Sequence, residues 1–150
     1  MGLNGRNVAI VLIVGIVVVA AGVWYYMDAT TRVDEMSVRI YADPAAENIL
    51  ASIESGDLAS FTRDMDAAMK AAYTEAQFET LQDTLYAKVG SYEGNTFTSA
   101  ERSGEYIVAY YKAGFTDEPA GVTVRVVFAV NTGGPAQVSG LWFSSPKLAS

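Results

Sequence analysis

The distribution of apolar residues divides the chain into an apolar segment, a helical region and a region of strands. Residues 8–27 read VAIVLIVGIVVVAAGVWYYM and contain no charged side chain. From residue 44 to residue 90, apolar residues recur at steps of three and four, which is typical of amphipathic helices. After residue 90, apolar and polar residues alternate, which is typical of strands with one buried face.

The apolar run at residues 8–27 is predicted to be a transmembrane anchor helix. A helix of twenty residues rises about 30 Å, which matches the hydrocarbon core of a bilayer. Aromatic rings at its C-terminal end favour the membrane interface, and two glycines seven positions apart fall on one helix face. The residues that mark this predicted anchor are Val8, Gly15, Gly22, Trp24, Tyr25 and Tyr26. Through them the protein is expected to contact membrane lipid.

Three other interpretations of the same run stay open. A cleaved signal peptide would use a small-residue site such as Ala20-Ala21-Gly22, although the run is long for a signal. A buried helix of a soluble protein would be unusual without a polar face. A helix of the type IV pilin kind also joins an apolar N-terminus to a sheet domain. This run lacks the acidic residue near its start and the basic-Gly processing site of such proteins.

The charges that flank the run predict its orientation. Arg6 and the α-amino group precede it, and mixed acidic and basic residues follow it, so the positive-inside rule favours a cytoplasmic N-terminus. The protein is therefore expected in the cell membrane, with a single pass and its domain outside. The predicted segments are a cytoplasmic tip (1–7), the anchor (8–27), a stalk or linker (28–43), an extracytoplasmic domain (44–146) and a tail (147–150).

The stalk or linker has two interpretations. Val33, Met36 and Ile40 recur at helical spacing, so the anchor helix either continues as a stalk or gives way to a plain linker. Asp43 and Pro44 then have the residue types of an N-cap and a first helical position. These signals predict that the first helix of the domain begins at residue 44 and ends before a glycine at position 56.

Two further helices are predicted before the strands. Asp57 or Ser60 can cap the second helix, whose apolar stripe extends to residue 72. Asp57 is interpreted as this cap rather than as a functional carboxylate. Thr74 and Gln77 fit a capping box for the third helix, which ends at Gly90.

Four strands follow, and they are predicted to form an antiparallel meander. The predicted strands are a weak one at 96–100 and three clearer ones at 106–115, 122–130 and 137–144. Short turns connect them, which favours antiparallel neighbours. Because the helices precede all the strands, the predicted fold class is α+β with the helices on one face of the sheet.

Composition excludes several classes of function. The chain has 150 residues and a mass of 16.0 kDa, which suits one domain with an appendage. A net charge of −7 disfavours nucleic-acid binding, because an acidic surface repels phosphates. The chain has no Cys and no His, so it lacks the thiol nucleophile, the commonest general base and the commonest metal ligand. We therefore expect no cofactor, no metal site and no catalytic residue.

A degenerate set of motifs gives the chain a family resemblance. The motifs are a Ser-Gly-Asp turn (55–57), an aromatic residue (Phe61), a Met-Lys pair (69–70), a Gly-x-Tyr ending (90–92) and a Gly-x-Trp-Phe strand (140–143). With these the chain resembles the domain-of-unknown-function family DUF3887 over about two-thirds of its length. The resemblance implies a cystatin-like or nuclear-transport-factor-2-like cone, in which a curved four-stranded sheet wraps around three helices. It also implies a prokaryotic protein, secreted or membrane-anchored, and it implies no activity.

The aromatic residues of the strands are the candidate site. Tyr106 and Tyr110 share a strand face, and with Trp142 and Phe128 they are predicted to line a pocket or an interaction surface. The alternative is an ordinary core with exposed tyrosines on the sheet. Arg125 lies on the outer face of the central strand, where it either pairs with an acid on a neighbouring strand or contacts a binding partner.

These features favour a non-enzymatic interaction module over two alternatives. The module would bind a membrane or envelope protein through the open face or the edge of the sheet. In the first alternative, the aromatic pocket between sheet and helices binds a small apolar molecule or a lipid. In the second and weaker one, a carboxylate such as Glu105 acts with Tyr110 in an enzyme.

Overall fold

The computed structural model describes residues 30–31, 33–130 and 133–149. The predicted cytoplasmic tip and the predicted anchor at 8–27 lie outside these residues. Within the described ranges, no helix has both the length and the apolarity that a membrane crossing requires.

Five helices and five strands make up the described part of the chain. The helices are α1 (Glu35–Ser55), α2 (Leu58–Phe61), α3 (Ala67–Ala72), α4 (Glu75–Val89) and α5 (Pro146–Ala149). The strands are β1 (Thr30–Thr31), β2 (Tyr92–Ser103), β3 (Tyr106–Phe115), β4 (Glu118–Ala129) and β5 (Gln137–Ser144).

The strands form one antiparallel sheet in which chain neighbours are also spatial neighbours. The order is β1-β2-β3-β4-β5, and β1 adds only two residues beside the end of β2. The predicted α+β class and the four-stranded antiparallel meander are therefore confirmed in β2 to β5. Strand β2 corresponds to the weak strand predicted at 96–100. It is longer than predicted, because it pairs with β3 along most of its length.

The first helix begins nine residues earlier than predicted. Asp34 is its N-cap and accepts a hydrogen bond from the Met36 backbone N–H at 3.2 Å, so Pro44 lies inside the helix. The prediction of a helix start at Asp43 and Pro44 is wrong, and residues 35–43 belong to the domain helix. The Asp43 carboxylate contacts Tyr111 and Arg39 instead of capping a helix.

The second predicted helix is divided in two. After α2, the chain turns at residues 62–64, and Met65 forms a parallel bridge with Val138 of β5. The Asp66 backbone N–H donates to the Val138 carbonyl at 2.9 Å, and the Val138 N–H donates to the Asp64 carbonyl at 2.7 Å. Because the backbone here pairs with a strand, it cannot continue the helical pattern that the apolar stripe predicts. Asp57 is the cap of α2, as predicted, since it accepts from the Ser60 N–H at 3.1 Å.

The third predicted helix, α4, has the expected ends. Thr74 is its N-cap and accepts from the Gln77 N–H at 3.3 Å. The reciprocal half of the capping box is not formed, since the buried Gln77 Oε1 has no hydrogen-bond partner among the described residues. Gly90 ends the helix at a φ of 85°, where a side chain would bring a Cβ within 2.1 Å of Thr116 Oγ1.

The hydrophobic core lies between the helices and one face of the sheet, called here the inner face. Apolar residues at helical spacing on α1 and α4 pack against alternate residues of β3 and β4. The main contributors are Val38, Ile49, Leu50, Leu81, Leu85, Ile107, Tyr111, Val122, Val124, Val126 and Phe128. The opposite surface of the sheet is called the outer face.

Helix α1 also covers part of the free edge of β2 with carboxylates. Glu35 accepts from the Ala100 backbone N–H at 3.2 Å, and Glu54 accepts from the Tyr92 N–H at 3.0 Å. Between them, Glu47 accepts from the Tyr92 hydroxyl at 2.6 Å. An edge whose donors are occupied by side chains is a poor template for pairing with another chain.

Candidate functional site

The predicted aromatic residues lie on both faces of the sheet. Tyr106 and Tyr110 are on the outer face of β3, where both are half-buried. Trp142 of β5 is also on this face, since it lies beside Arg125, which is the register partner of Tyr110. Three of the four predicted site residues are therefore together on one surface.

Phe128 is separated from the other three by the sheet itself. It is buried on the inner face, and its ring meets the Tyr41 ring of α1 edge-on at 5.1 Å. Since neighbouring residues of a strand point to opposite faces, Phe128 cannot line one pocket with Tyr106, Tyr110 and Trp142. The three outer residues form an open surface rather than a pocket between sheet and helices.

Arg125 lies between two aromatic rings at the centre of the outer face. Its guanidinium carbon is 5.7 Å from the centroid of the Tyr110 ring and 5.2 Å from the centroid of the Trp142 ring. The three residues are direct register partners on β3, β4 and β5, so they form a row across the sheet. A cation at this distance from aromatic rings is attracted to them. These ring contacts add to the acidic partner on a neighbouring strand that was expected for Arg125, which stays a prediction.

A carboxylate extends this row toward the edge strand. The Tyr110 hydroxyl donates to Glu101 Oε1 of β2 at 3.1 Å. Burial, together with the negative charge of Glu101, raises the pKa of Tyr110 to about 12, although the charge of Arg125 opposes this shift. Tyr110 is therefore a neutral hydrogen-bond donor at physiological pH and holds a fixed position between Glu101 and Arg125.

The row is supported by a small apolar cluster beneath it. Val108 and Val127 are register partners on the outer face, with 0% and 2% of their surface exposed. Tyr106 and Tyr110 pack against them. The aromatic side chains of the outer face thus rest on apolar contacts that restrict their movement.

The carboxylate that contacts Tyr110 is not the one predicted. Glu105 lies exposed in the tight turn between β2 and β3, while Glu101 makes the hydrogen bond to Tyr110. Asp57 is engaged as the cap of α2, and its hydrogen bonds from the Ser60 side chain and backbone lower its pKa. Across the described ranges, no group of three or more acidic side chains is placed to hold a metal ion.

A cavity lies on the inner side, at the end of the domain where α1 begins. Its volume is about 550 Å³, and it lies between the first turns of α1 and the ends of β2, β3 and β4. Its lining residues are Val33, Asp34, Ser37, Val38, Tyr41, Arg102, Ile107, Val130 and Ala136. Sequence analysis missed it, because its helical wall falls in residues assigned to a stalk or linker. The helical spacing at residues 33–40 was the one signal of that wall.

A comparison with protein families identifies the family of the chain. No curated protein matches the chain. The sequence profile of DUF3887, described as a protein family of unknown function, matches residues 46–133, which is more than half of the chain. The matched region begins within α1 and includes the outer-face residues of β2, β3 and β4. The resemblance seen in the sequence motifs is thereby confirmed: the chain belongs to the DUF3887 family.

Proposed function

We propose that this protein is a membrane-anchored interaction module that binds a membrane or envelope protein through the outer face of its sheet. The observation that carries the proposal is the row of Tyr110, Arg125 and Trp142 on a surface that the helices leave open. Tyr, Trp and Arg are the residue types that dominate binding energy at protein interfaces.

The partial exposure and the ordering of these side chains support a role in binding rather than a purely structural role. Tyr106, Tyr110, Arg125 and Trp142 are half-buried, so each keeps surface for a partner. The ring contacts of Arg125 hold its guanidinium in place before any partner arrives. Side chains that are already ordered lose little conformational entropy on binding.

The edge of the sheet is the less suitable surface for a partner. Carboxylates of α1 occupy backbone donors of β2, and residues 64–66 pair with β5 at the other side of the sheet. Of the two surfaces considered from sequence, the face is therefore favoured over the edge.

The uncharged run at residues 8–27 supports a single-pass anchor with the domain outside the cell. Only residues 28–34 separate this run from the first residue of α1. Seven residues extend no further than about 25 Å, so the domain would stay close to the bilayer. A partner in the membrane or the envelope would then be within reach.

Site-specific crosslinking tests the proposed surface. A photoreactive amino acid is placed at Trp142 or at Tyr106 of the full-length protein in its own membrane. Tyr86 is the control position, because it is 68% exposed on α4, away from the sheet. We expect the same protein adduct from both outer-face positions and none from position 86. Adducts from all three positions, or from position 86 alone, would contradict the proposal.

Alanine variants distinguish a loss of partner binding from a loss of folding. We expect Trp142→Ala to weaken capture of the crosslinked partner at least about tenfold, as at an interface hot spot. Tyr86→Ala is the matched control and should capture the partner normally. Thermal unfolding of both variants shows whether the domain is intact. Normal capture by an intact Trp142→Ala variant would overturn the assignment of this face.

The absence of cysteine from the chain makes the topology directly testable. A single cysteine at Tyr86 should react with a membrane-impermeant maleimide in intact cells, and one at Asn4 should react only after permeabilisation. Labelling in the opposite pattern would reverse the proposed orientation. Release of a shortened chain into the medium would show that the run is a cleaved signal.

A further inference from the structure

The cavity beside the start of α1 has an apolar floor and a polar rim. Val38 and Ile107 are buried at its base, and Val130 is half-buried on its wall. Tyr41 and Arg102 carry polar atoms at the same cavity. Its volume of about 550 Å³ is within the range of small-molecule sites, roughly 300–1,000 Å³.

Arg102 brings a positive charge that no described carboxylate neutralises. Arg102 forms no ion pair with a described residue, whereas Arg39 and Arg63 each pair with a neighbouring aspartate. Among the described residues, the Arg102 side chain makes one hydrogen bond, a long one of 3.5 Å to the Gly104 carbonyl. A guanidinium carries five N–H donors, so most of them remain available for an acceptor.

Tyr41 adds a second donor next to Arg102. Its ring packs against Phe128, and its hydroxyl makes no hydrogen bond to any described residue. Tyr41 and Arg102 line the same cavity, and burial raises the pKa of Tyr41 although the charge of Arg102 opposes this shift. The phenol therefore stays protonated and can donate.

The acidic residue of the cavity already has its own partners. The Asp34 carboxylate accepts from the Met36 backbone N–H at 3.2 Å and from the Ser37 hydroxyl at 2.6 Å. It serves as the cap of α1. Its negative charge disfavours a second negative charge on a ligand, so the rim suits a monoanion better than a phosphate dianion.

We propose that this cavity binds a small amphipathic carboxylate, with its carboxylate at Arg102 and Tyr41 and its hydrocarbon part against Val38, Ile107 and Val130. A guanidinium and a carboxylate form strong, charge-assisted hydrogen bonds. Burying the hydrocarbon part against the apolar floor adds affinity through the hydrophobic effect. The site is on the inner side of the sheet and is independent of the outer face proposed for protein binding.

Methyl NMR of the full-length protein in lipid nanodiscs tests this site. The probe is octanoate, with octan-1-ol and octylammonium as neutral and cationic analogues of the same length, and empty nanodiscs as the blank. We expect octanoate to shift the δ1 methyl of Ile107 in a saturable manner. The δ1 methyl of Ile40, 77% exposed and not part of the cavity, should stay in place. Octan-1-ol and octylammonium should bind at least about tenfold more weakly.

Substitutions in the cavity distinguish the contribution of charge to ligand binding from the contribution of shape. Arg102→Gln should weaken octanoate binding about tenfold and leave octan-1-ol binding unchanged, and Tyr41→Phe should weaken octanoate binding by a smaller factor. Arg63→Gln is the matched control, because Arg63 is an exposed arginine outside the cavity. Ala136→Leu fills part of the cavity and should weaken octanoate and octan-1-ol alike.

Four results would overturn the proposal. These are equal affinities for octanoate and octan-1-ol, tighter binding of octylammonium, unchanged octanoate binding in a folded Arg102→Gln variant, and equal shifts at Ile40 and Ile107. The unshifted methyl spectrum of buried Ile49 shows that each variant is folded. Loss of partner capture by Trp142→Ala has no bearing on this site, so the two proposals fail separately.

Discussion

Asp43 accepts a hydrogen bond of 2.6 Å from the hydroxyl of Tyr111, which joins the middle of α1 to the inner face of β3. Tyr111 is 1% exposed, so its hydroxyl would otherwise be a buried donor without a partner. Arg39 forms an ion pair with the same carboxylate at 2.8 Å, one helical turn earlier. Its guanidinium carbon lies 4.8 Å from the ring centroid of Phe97. The Asp43 carboxylate is thus engaged in tertiary contacts from within the helix and does not cap a helix end.

Removing the Asp43 carboxylate is expected to destabilise the domain. Asp43→Ala leaves the buried Tyr111 hydroxyl unsatisfied, which should lower the free energy of unfolding by about 1–3 kcal/mol. Tyr111→Phe should lower it less, because the partly exposed Asp43 keeps its ion pair with Arg39. Denaturant unfolding measures both variants and the double variant. Additive losses in the double variant would show that the two residues do not interact.

Pro44→Ala is expected to stabilise the domain. Pro44 lies inside α1 and has no backbone N–H, so one hydrogen bond of the helix is missing. Alanine would restore an N–H at that position. We expect the free energy of unfolding to rise by about 1–3 kcal/mol, reduced slightly by the greater freedom of the unfolded chain. If instead α1 began at Pro44, the substitution would be neutral or destabilising. Amide exchange at residues 36–43 gives a second test, since these amides are protected only if they are helical.

Asp66→Ala is expected to loosen the junction between α3 and β5. The Asp66 carboxylate accepts from the Met69 backbone N–H at 2.9 Å and from the Ser139 hydroxyl at 2.9 Å. Loss of this cap should cost about 1–2 kcal/mol in the free energy of unfolding. Asp83→Ala, an exposed aspartate on α4, is the control and should change it by less than about 0.5 kcal/mol. Equal effects of the two substitutions would contradict the capping role.

Alkaline pH is expected to destabilise the domain partly through Tyr110. Its pKa is about 12 in the folded protein and about 10 in an unfolded chain. The unfolded state therefore releases the proton first, so stability is complete below pH 10 and falls as the pH rises from 10 to 12. Solvent screening at this half-exposed side chain reduces the effect to on the order of 1 kcal/mol.

Tyr110→Phe isolates this contribution from those of the other tyrosines. The variant should lose less stability than the wild type between pH 10 and 11.5, as measured by denaturant unfolding at fixed pH steps. Tyr86→Phe is the control and should follow the wild-type curve. A Tyr110→Phe variant that is as alkali-sensitive as the wild type would show that Tyr110 ionises similarly in both states.

Local sequence pattern predicts the buried face of some strands better than that of others. Over residues 122–128 of β4, one face carries only Val122, Val124, Val126 and Phe128, while the other includes Thr123 and Arg125, so the sequence predicts correctly which face meets the helices. In β3, both faces of the run YIVAYYKAGF are mostly apolar or aromatic, and Lys112 alone marks the outer face, so local pattern distinguishes the faces only weakly. The pairing with β4 places Tyr110 opposite Arg125 and therefore on the face away from Phe128.

The sequence by itself determined the types and order of the main helices and of the four long strands, several of their ends and the family. Periodicities of three to four and of two arise within short stretches, and caps such as Asp57 and Thr74 act on residues three positions away. The tertiary structure decided the start of α1, the break at Met65 and the grouping of the outer face. The last two depend on contacts between distant parts of the chain, such as Met65 with Val138, and the helical Asp43 likewise contacts the distant Tyr111. Such contacts override local propensity because they satisfy buried polar groups that no local pattern reveals.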